Sequence, residues 1–154
     1  MKHIAIDTNI YVAFKLGSPS VVELFQNVES IGIDITVVAE LFSGFSLGNR
    51  EKKNKTEFNE FVNSPRVEIL SHDFQTAEYY ALIVKSLKTK GKPIPTNDIW
   101  IAASAMRNGL ALCTNDNHFL AIDGLPIISC SDTTSKTNTK DLQKQGKHTR
   151  IFEP

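Results

Sequence analysis

Short apolar runs alternate along this chain with longer stretches of helical periodicity, and that alternation restricts it to a few layered architectures. The expected strands are His3 to Ile6, Ile33 to Ile35, Val67 to Leu70, Leu110 to Cys113, and Ile127 to Ile128. Several are continuously apolar, as suits strands covered on both faces of a parallel sheet. Between them the 3.6-residue period runs over Pro19 to Ser30, Thr36 to Leu47, Glu51 to Asn63, Asp73 to Thr89, and Thr96 to Asn108. Punctuation agrees with these bounds. Ser18-Pro19 sets a capping Ser before a Pro at the first helical position, and Gly91-Lys92-Pro93 closes one helix before Pro95-Thr96-Asn97 opens the next. Gly109 stands where a C-terminal cap belongs. The expected fold is α/β, a central parallel sheet flanked by helices through right-handed crossovers.

A chain of 154 residues suits one such domain. From Thr133 onward it turns polar and rich in Thr, Lys and Gln, so a folded unit over 1–132 and a weakly ordered basic tail over 133–154 are expected, with Ile151-Phe152 able to dock. The tail carries five Lys/Arg against two acids, and the body has a matching surplus of acids. The net charge is zero, which does not by itself mark a nucleic-acid binder. No apolar run approaches the ~20 residues that span a bilayer. The N-terminus reaches Asp7 without a signal-like apolar core, so a cytoplasmic location is expected. Cys113 and Cys130 lack CxxC spacing and lie in or beside apolar runs, which predicts buried free thiols rather than a zinc site.

Four acids stand at positions this architecture makes chemically useful. Asp7 directly follows the first strand, and Asp116 comes three residues after the strand ending at Cys113. In a parallel sheet, residues just past the strand ends line the crevice where ligands bind. Asp98 lies in the first turn of a helix that continues Ile99-Trp100-Ile101-Ala102-Ala103 and must be largely buried. In the helix starting near Thr36, Glu40 falls beside Val37 at the margin of the apolar face. With Thr36 as N-cap, the capping-box position is Ala39, so capping does not explain Glu40. Each acid has a structural alternative: Asp98 and Asp116 suit helix N-termini, Asp7 a turn, and Glu40 a snorkelling surface position. Four ionised carboxylates sharing one pocket would need cations to offset their repulsion. Hard oxygen ligands favour Mg2+ or Mn2+ over zinc, and such an ion's natural work is to activate water against a phosphodiester.

Four blocks in order carry a resemblance to a known family: Ile6-Asp7-Thr8-Asn9, Thr36-Val37-Val38-Ala39-Glu40-Leu41, Pro95-Thr96-Asn97-Asp98-Ile99-Trp100-Ile101-Ala102-Ala103, and Thr114-Asn115-Asp116-Asn117-His118-Phe119 followed by Gly124-Leu125. From Ile4 to about Ile128 the chain resembles the PIN domain, and within it the VapC-type ribonuclease toxins of toxin–antitoxin pairs. The resemblance implies that Asp7, Glu40, Asp98 and Asp116 are the catalytic and metal-binding quartet, holding one or two ions. It implies that Thr8, Asn9 and Thr114 position the acids or water, with Asn9 the preferred residue. It further implies a parallel sheet, a homodimer, an antitoxin that blocks the groove, and structured RNA, frequently a tRNA, as substrate. Hydrolysis would leave a 5′-phosphate and a 3′-hydroxyl. The basic tail departs from the compact family pattern.

His118, next to Asp116, is a candidate for proton transfer, with a solvated turn residue as the alternative. Arg50, Lys52, Lys53 and Lys55, and again Lys85, Lys88, Lys90 and Lys92, could contact RNA phosphates or simply solvate helix ends. A metal-dependent phosphatase would call for a second acid at position 9, which is Asn9, and a receiver-like domain would call for paired acids near the first strand. No P-loop is present. A non-catalytic PIN-like binding module remains the competing function, and loss of an acid would mark it; this chain retains all four.

Overall fold

His3–Ile6 (β1) lies at the centre of a wholly parallel five-stranded sheet. Ser30–Asp34 (β2) and Val67–Leu70 (β3) continue it on one side, Ala111–Cys113 (β4) and Ile127–Ile128 (β5) on the other. The computed structural model describes residues 3–132, so the expected basic tail over 133–154 lies outside the described residues. The helices are Thr8–Lys15 (α1), Pro19–Asn27 (α2), Ile35–Leu47 (α3), Glu51–Val62 (α4), Phe74–Lys90 (α5) and Thr96–Arg107 (α6), with a short 3-10 helix at Asn117–Ala121.

Strand order and handedness fix the layers. The chain moves outward from β1 to β2 to β3 and then returns to β4, so right-handed crossovers put α1 to α4 over one face and α5 and α6 over the other. An aromatic cluster fills the first layer, with Tyr11 edge-on to Phe58 and Phe61, and Phe14 against Phe25. The second layer rests on the buried stripe Ile99, Ile101, Ala102, Ala103 and Ala105 of α6, small enough to sit close on the sheet. Among the described residues, no helix is long and apolar enough to cross a membrane.

Three expectations need correction. Helix α1 was not foreseen: its eight residues bury only Ile10 and Tyr11, too few to show a period. Strand β2 begins at Ser30 rather than Ile33, and α2 ends at Asn27 rather than Ser30. Gly32 explains the shift, because its missing side chain suggests a loop in sequence but is a packing requirement in space. A Cβ there would lie 2.8 Å from Leu70 Cδ1 and 3.0 Å from Leu110 Cδ1. Gly32→Ala is therefore expected to destabilise the fold by about 1–3 kcal/mol through overpacking, read as a lower thermal midpoint. An unchanged midpoint would mean both leucines move aside freely.

The third correction concerns caps. Asp34, not Thr36, is the N-cap of α3, its Oδ2 accepting from the Thr36 N–H at 2.8 Å. Ser18 is the N-cap of α2, but its side chain makes no capping bond. Its hydroxyl donates to Asp132 Oδ2 at 2.7 Å, and Asp132 Oδ1 takes the Ser20 N–H at 2.9 Å. A carboxylate distant in sequence thus satisfies a free donor of the first turn. Cys113 and Cys130 are both free and buried, as expected, with sulfurs 3.1 Å apart.

Candidate active site at the sheet edge

Because every strand is parallel, the residues that follow β1, β2 and β4 emerge on one edge. Asp7 comes first. It is only 6% exposed, caps α1, and has both oxygens occupied. Oδ1 accepts from the Thr8 N–H at 2.7 Å, and Oδ2 accepts from the Thr114 hydroxyl at 2.9 Å. Thr114 Oγ1 in turn accepts from the Asp116 N–H at 3.0 Å, so one buried threonine ties the acid of β1 to the acid after β4. Asp116 caps the 3-10 helix by accepting from the His118 N–H at 2.9 Å.

His118 closes the group from the other side. Its Nδ1 lies 3.0 Å from Asp98 Oδ2, in the first turn of α6, and 3.3 Å from Asp116 Oδ1. One ligand atom from each of Asp98, Asp116 and His118 falls within 4.8 Å of the others, a spacing that could hold an ion. Glu40 reaches the same region from α3. Its Oε1 is buried and has no hydrogen-bond partner, and neither has Thr8 Oγ1.

Electrostatics show that the four acids share one environment. Burial pushes the Asp7 carboxyl up; its bonds from Thr114 and Thr8 oppose this, and the charges of Asp98 and Asp116 add to it. Burial likewise raises Glu40, helped by the charges of Asp7, Asp98 and Asp34. Asp98 is raised by burial and by Asp116, with the His118 contact pulling the other way. Mutual repulsion plus an orphaned buried carboxylate oxygen is what a cation-binding carboxylate set should display before an ion neutralises it. The donors present therefore fit a hard divalent cation.

The remaining residues singled out from sequence divide. Thr114 and Thr8 stand against the acids, whereas Asn9 is exposed and its side chain makes no hydrogen bond among the described residues. Arg50, Lys52 and Lys53 line a shallow cavity of about 550 Å3 at the start of α4, away from the acids. Lys53 pairs with Glu57 at 3.9 Å and Lys55 with Glu51 at 3.2 Å, while Arg50 and Lys52 form no ion pair among the described residues. Lys88 and Lys92 border a cavity of about 360 Å3 walled by Val84, Leu87, Pro93, Ile94 and Ile99. Lys90 is drawn to Asp123 at 2.5 Å, and Lys85 is exposed. Sequence reasoning passed over Asp34 and His72, which meet at this edge: Asp34 ends on a β2 that was placed too late, and His72 lay in a loop with no motif.

Comparison with known proteins agrees with the fold. The PIN domain family model matches residues 4–125. Ribonuclease VapC2 of Rickettsia felis is 30% identical over 115 residues, covering 72% of this chain and 84% of that protein. Ribonuclease VapC4 of Mycobacterium tuberculosis is 29% identical over 98 residues, 64% of this chain and 75% of its own. Among solved structures, DNA-bound VapBC from Salmonella typhimurium superposes with a TM-score of 0.76 at 28% identity, covering 85% of this chain and all of that one. VapBC2 from Rickettsia felis, bound to a DNA fragment from its promoter, gives 0.74 at 29% identity, with 84% and 99% covered. A parallel α/β sheet with Asp7, Glu40, Asp98 and Asp116 gathered past its strand ends, matched across most of its length, makes this chain a member of the PIN-domain family, on its VapC-type branch.

Proposed function

We propose that the chain is a divalent-cation-dependent endoribonuclease, the toxin of a toxin–antitoxin pair. The observation that carries this reading is Glu40 Oε1, a buried carboxylate oxygen without a partner among three further acids whose charges oppose one another. Asp7, Glu40, Asp98 and Asp116 would hold one or two Mg2+ or Mn2+ ions, which suit an all-oxygen set better than zinc. A bound cation supplies charge to offset the phosphodiester and lowers the pKa of water. The chain's own groups do the positioning. Thr114 keeps Asp7 and Asp116 in fixed relation, and His118 draws Asp98 toward Asp116. His118 is also our candidate for passing a proton between solvent and the reacting groups.

RNA would approach with its backbone near Arg50, Lys52 and Lys53 or near Lys88 and Lys92, whose exposed ammonium and guanidinium groups are suited to phosphates. The VapBC complexes among the solved structures support an antitoxin protein as partner; a homodimer and a cytoplasmic setting are part of the same proposal.

The test is incubation of antitoxin-free protein with total cellular RNA in Mg2+ or Mn2+, with EDTA as control and the product ends mapped. Discrete, EDTA-sensitive cuts bearing 5′-phosphate and 3′-hydroxyl ends are expected. Ends carrying 2′,3′-cyclic phosphate would overturn the hydrolytic assignment. No cleavage across metals and RNAs would leave a non-catalytic binding module. In the same assay, Arg50→Gln with Lys52→Gln is expected to weaken RNA affinity and flatten its salt dependence by about 0.7 log unit per lost phosphate contact.

A further inference from the structure

A second cluster stands on the same edge, one strand over from Asp7, and nothing in the proposed hydrolysis uses it. In the β1–β2 register Ala5 lies opposite Gly32, and continuing it sets Asp34 opposite Asp7. Asp34 is only 3% exposed, and each of its oxygens has a bond. Oδ2 caps α3 through the Thr36 N–H, and Oδ1 accepts from His72 Nε2 at 2.8 Å. His72 follows β3 by two residues, where Leu70 pairs with Asp34. Its ring lies flat on Trp100 of α6, with centroids 4.5 Å apart and planes 13° from parallel. Tyr80 of α5 packs on the same indole at 4.2 Å.

Capping accounts for Asp34 and Thr36 but leaves the imidazole unexplained. A carboxylate only accepts, so Nε2 is the protonated nitrogen, and in neutral imidazole Nδ1 is then an acceptor. Nδ1 has no partner among the described residues, and the side chain is 25% exposed. Trp100 sets the ring plane and, in the neutral ring, the bond to Asp34 sets the tautomer, leaving Nδ1 as an acceptor open at the surface. Strand spacing puts His72 two strands from Asp7, on the order of 10 Å along the edge. The N-terminal turns of α6 join the two clusters, since Asp98 and Trp100 are two residues apart.

We propose that His72, fixed by Asp34 and Trp100, is a nucleotide subsite beside the acidic crevice, where Nδ1 accepts a hydrogen bond from an RNA 2′-hydroxyl or base amino group. It rests on the ribonuclease reading for its ligand, and it would give that nuclease a preference for RNA over DNA, because the 2′-hydroxyl is the group DNA lacks.

Trp100 is the chain's one tryptophan, so its fluorescence reports on this cluster alone. Wild-type protein in EDTA is titrated with single-stranded RNA of mixed sequence and with DNA of the same sequence. A saturable change is expected with RNA, and one at least several-fold weaker in affinity with DNA. His72→Gln keeps an N–H donor toward Asp34 while removing the Nδ1 acceptor. It is expected to melt like wild type, to bind RNA up to about tenfold more weakly, and to lose the RNA–DNA difference. In metal the same variant should show a raised KM with kcat nearly unchanged. A silent tryptophan in the wild-type titration overturns the subsite without reference to any variant. Equal binding and KM in a folded His72→Gln protein also overturns it. Fluorescence binding without cleavage would retain the subsite and remove the nuclease; cleavage with unaltered His72→Gln behaviour would do the reverse.

Discussion

Asp7→Asn is expected to abolish RNA cleavage, by about 10^3-fold or more, while the variant melts in EDTA no lower than the parent. The two halves have the same physical origin. Asp7 sits on the central strand, is nearly inaccessible, and is held by Thr8 and Thr114. Asn caps a helix as well as Asp does, so the Thr8 bond survives. Its amide can donate to the Thr114 hydroxyl, which rotates to accept. What disappears is one negative charge that burial and two neighbouring acids already disfavour. Removing it relieves the fold and at the same time removes a cation ligand. A thermal midpoint equal to the parent's or a few degrees higher, with no activity, is the signature of a functional acid. A lower midpoint with residual cleavage would make Asp7 a helix cap and nothing more.

That distinction matters because the capping interpretation of these acids proves to be correct as far as it goes. Asp7 and Asp116 are both N-caps, and Asp98 lies in a first turn. Helix N-termini gathered at one sheet edge supply carboxylates and a favourable field together, so structure and chemistry draw on the same residues. Glu40 is the exception. It caps nothing and leaves an oxygen unpaired, and so it separates an acidic site from a collection of caps.

The layered architecture was legible because apolar strand runs and helical periods are local signals: β1, β3 and β5 fall where the sequence places them. The places of Asp7 and Asp116 follow from strand ends plus parallel topology, and those of Asp98 and Glu40 from helical pattern. What could not be read is what depends on partners far along the chain. The Asp132 cap on α2, the Gly32 contact with Leu70 and Leu110, and the Asp34–His72–Trp100 stack each join segments dozens of residues apart. Helix α1 failed for a different reason. An eight-residue helix with two buried positions carries almost no periodicity, and its existence is decided by the Asp7 cap and the aromatic cluster around Tyr11.

The stabilisation that divalent metal gives to thermal unfolding should grow with pH. Asp7, Glu40 and Asp98 are each raised above ordinary values of 3.8, 4.5 and 3.8, with burial the first cause in every case. A carboxyl whose folded pKa exceeds its unfolded one binds more protons in the native state. The metal-free protein is therefore most favoured below the unfolded values and loses that advantage as pH rises through the folded ones. The window opens near pH 4 and extends upward to those raised values. Metal acts in the opposite direction, because it binds the deprotonated set and must displace whatever protons remain. At a concentration 100 times its dissociation constant, a cation adds about 2.7 kcal/mol, a shift of several degrees in the midpoint. The difference between Mg2+ and EDTA melts should thus widen steadily as pH rises from about 4 through those raised values, and Glu40→Gln should shrink it by neutralising the carboxylate whose buried oxygen lacks a hydrogen bond. A metal increment independent of pH, or one that Glu40→Gln leaves intact, would place the bound cation somewhere other than this crevice.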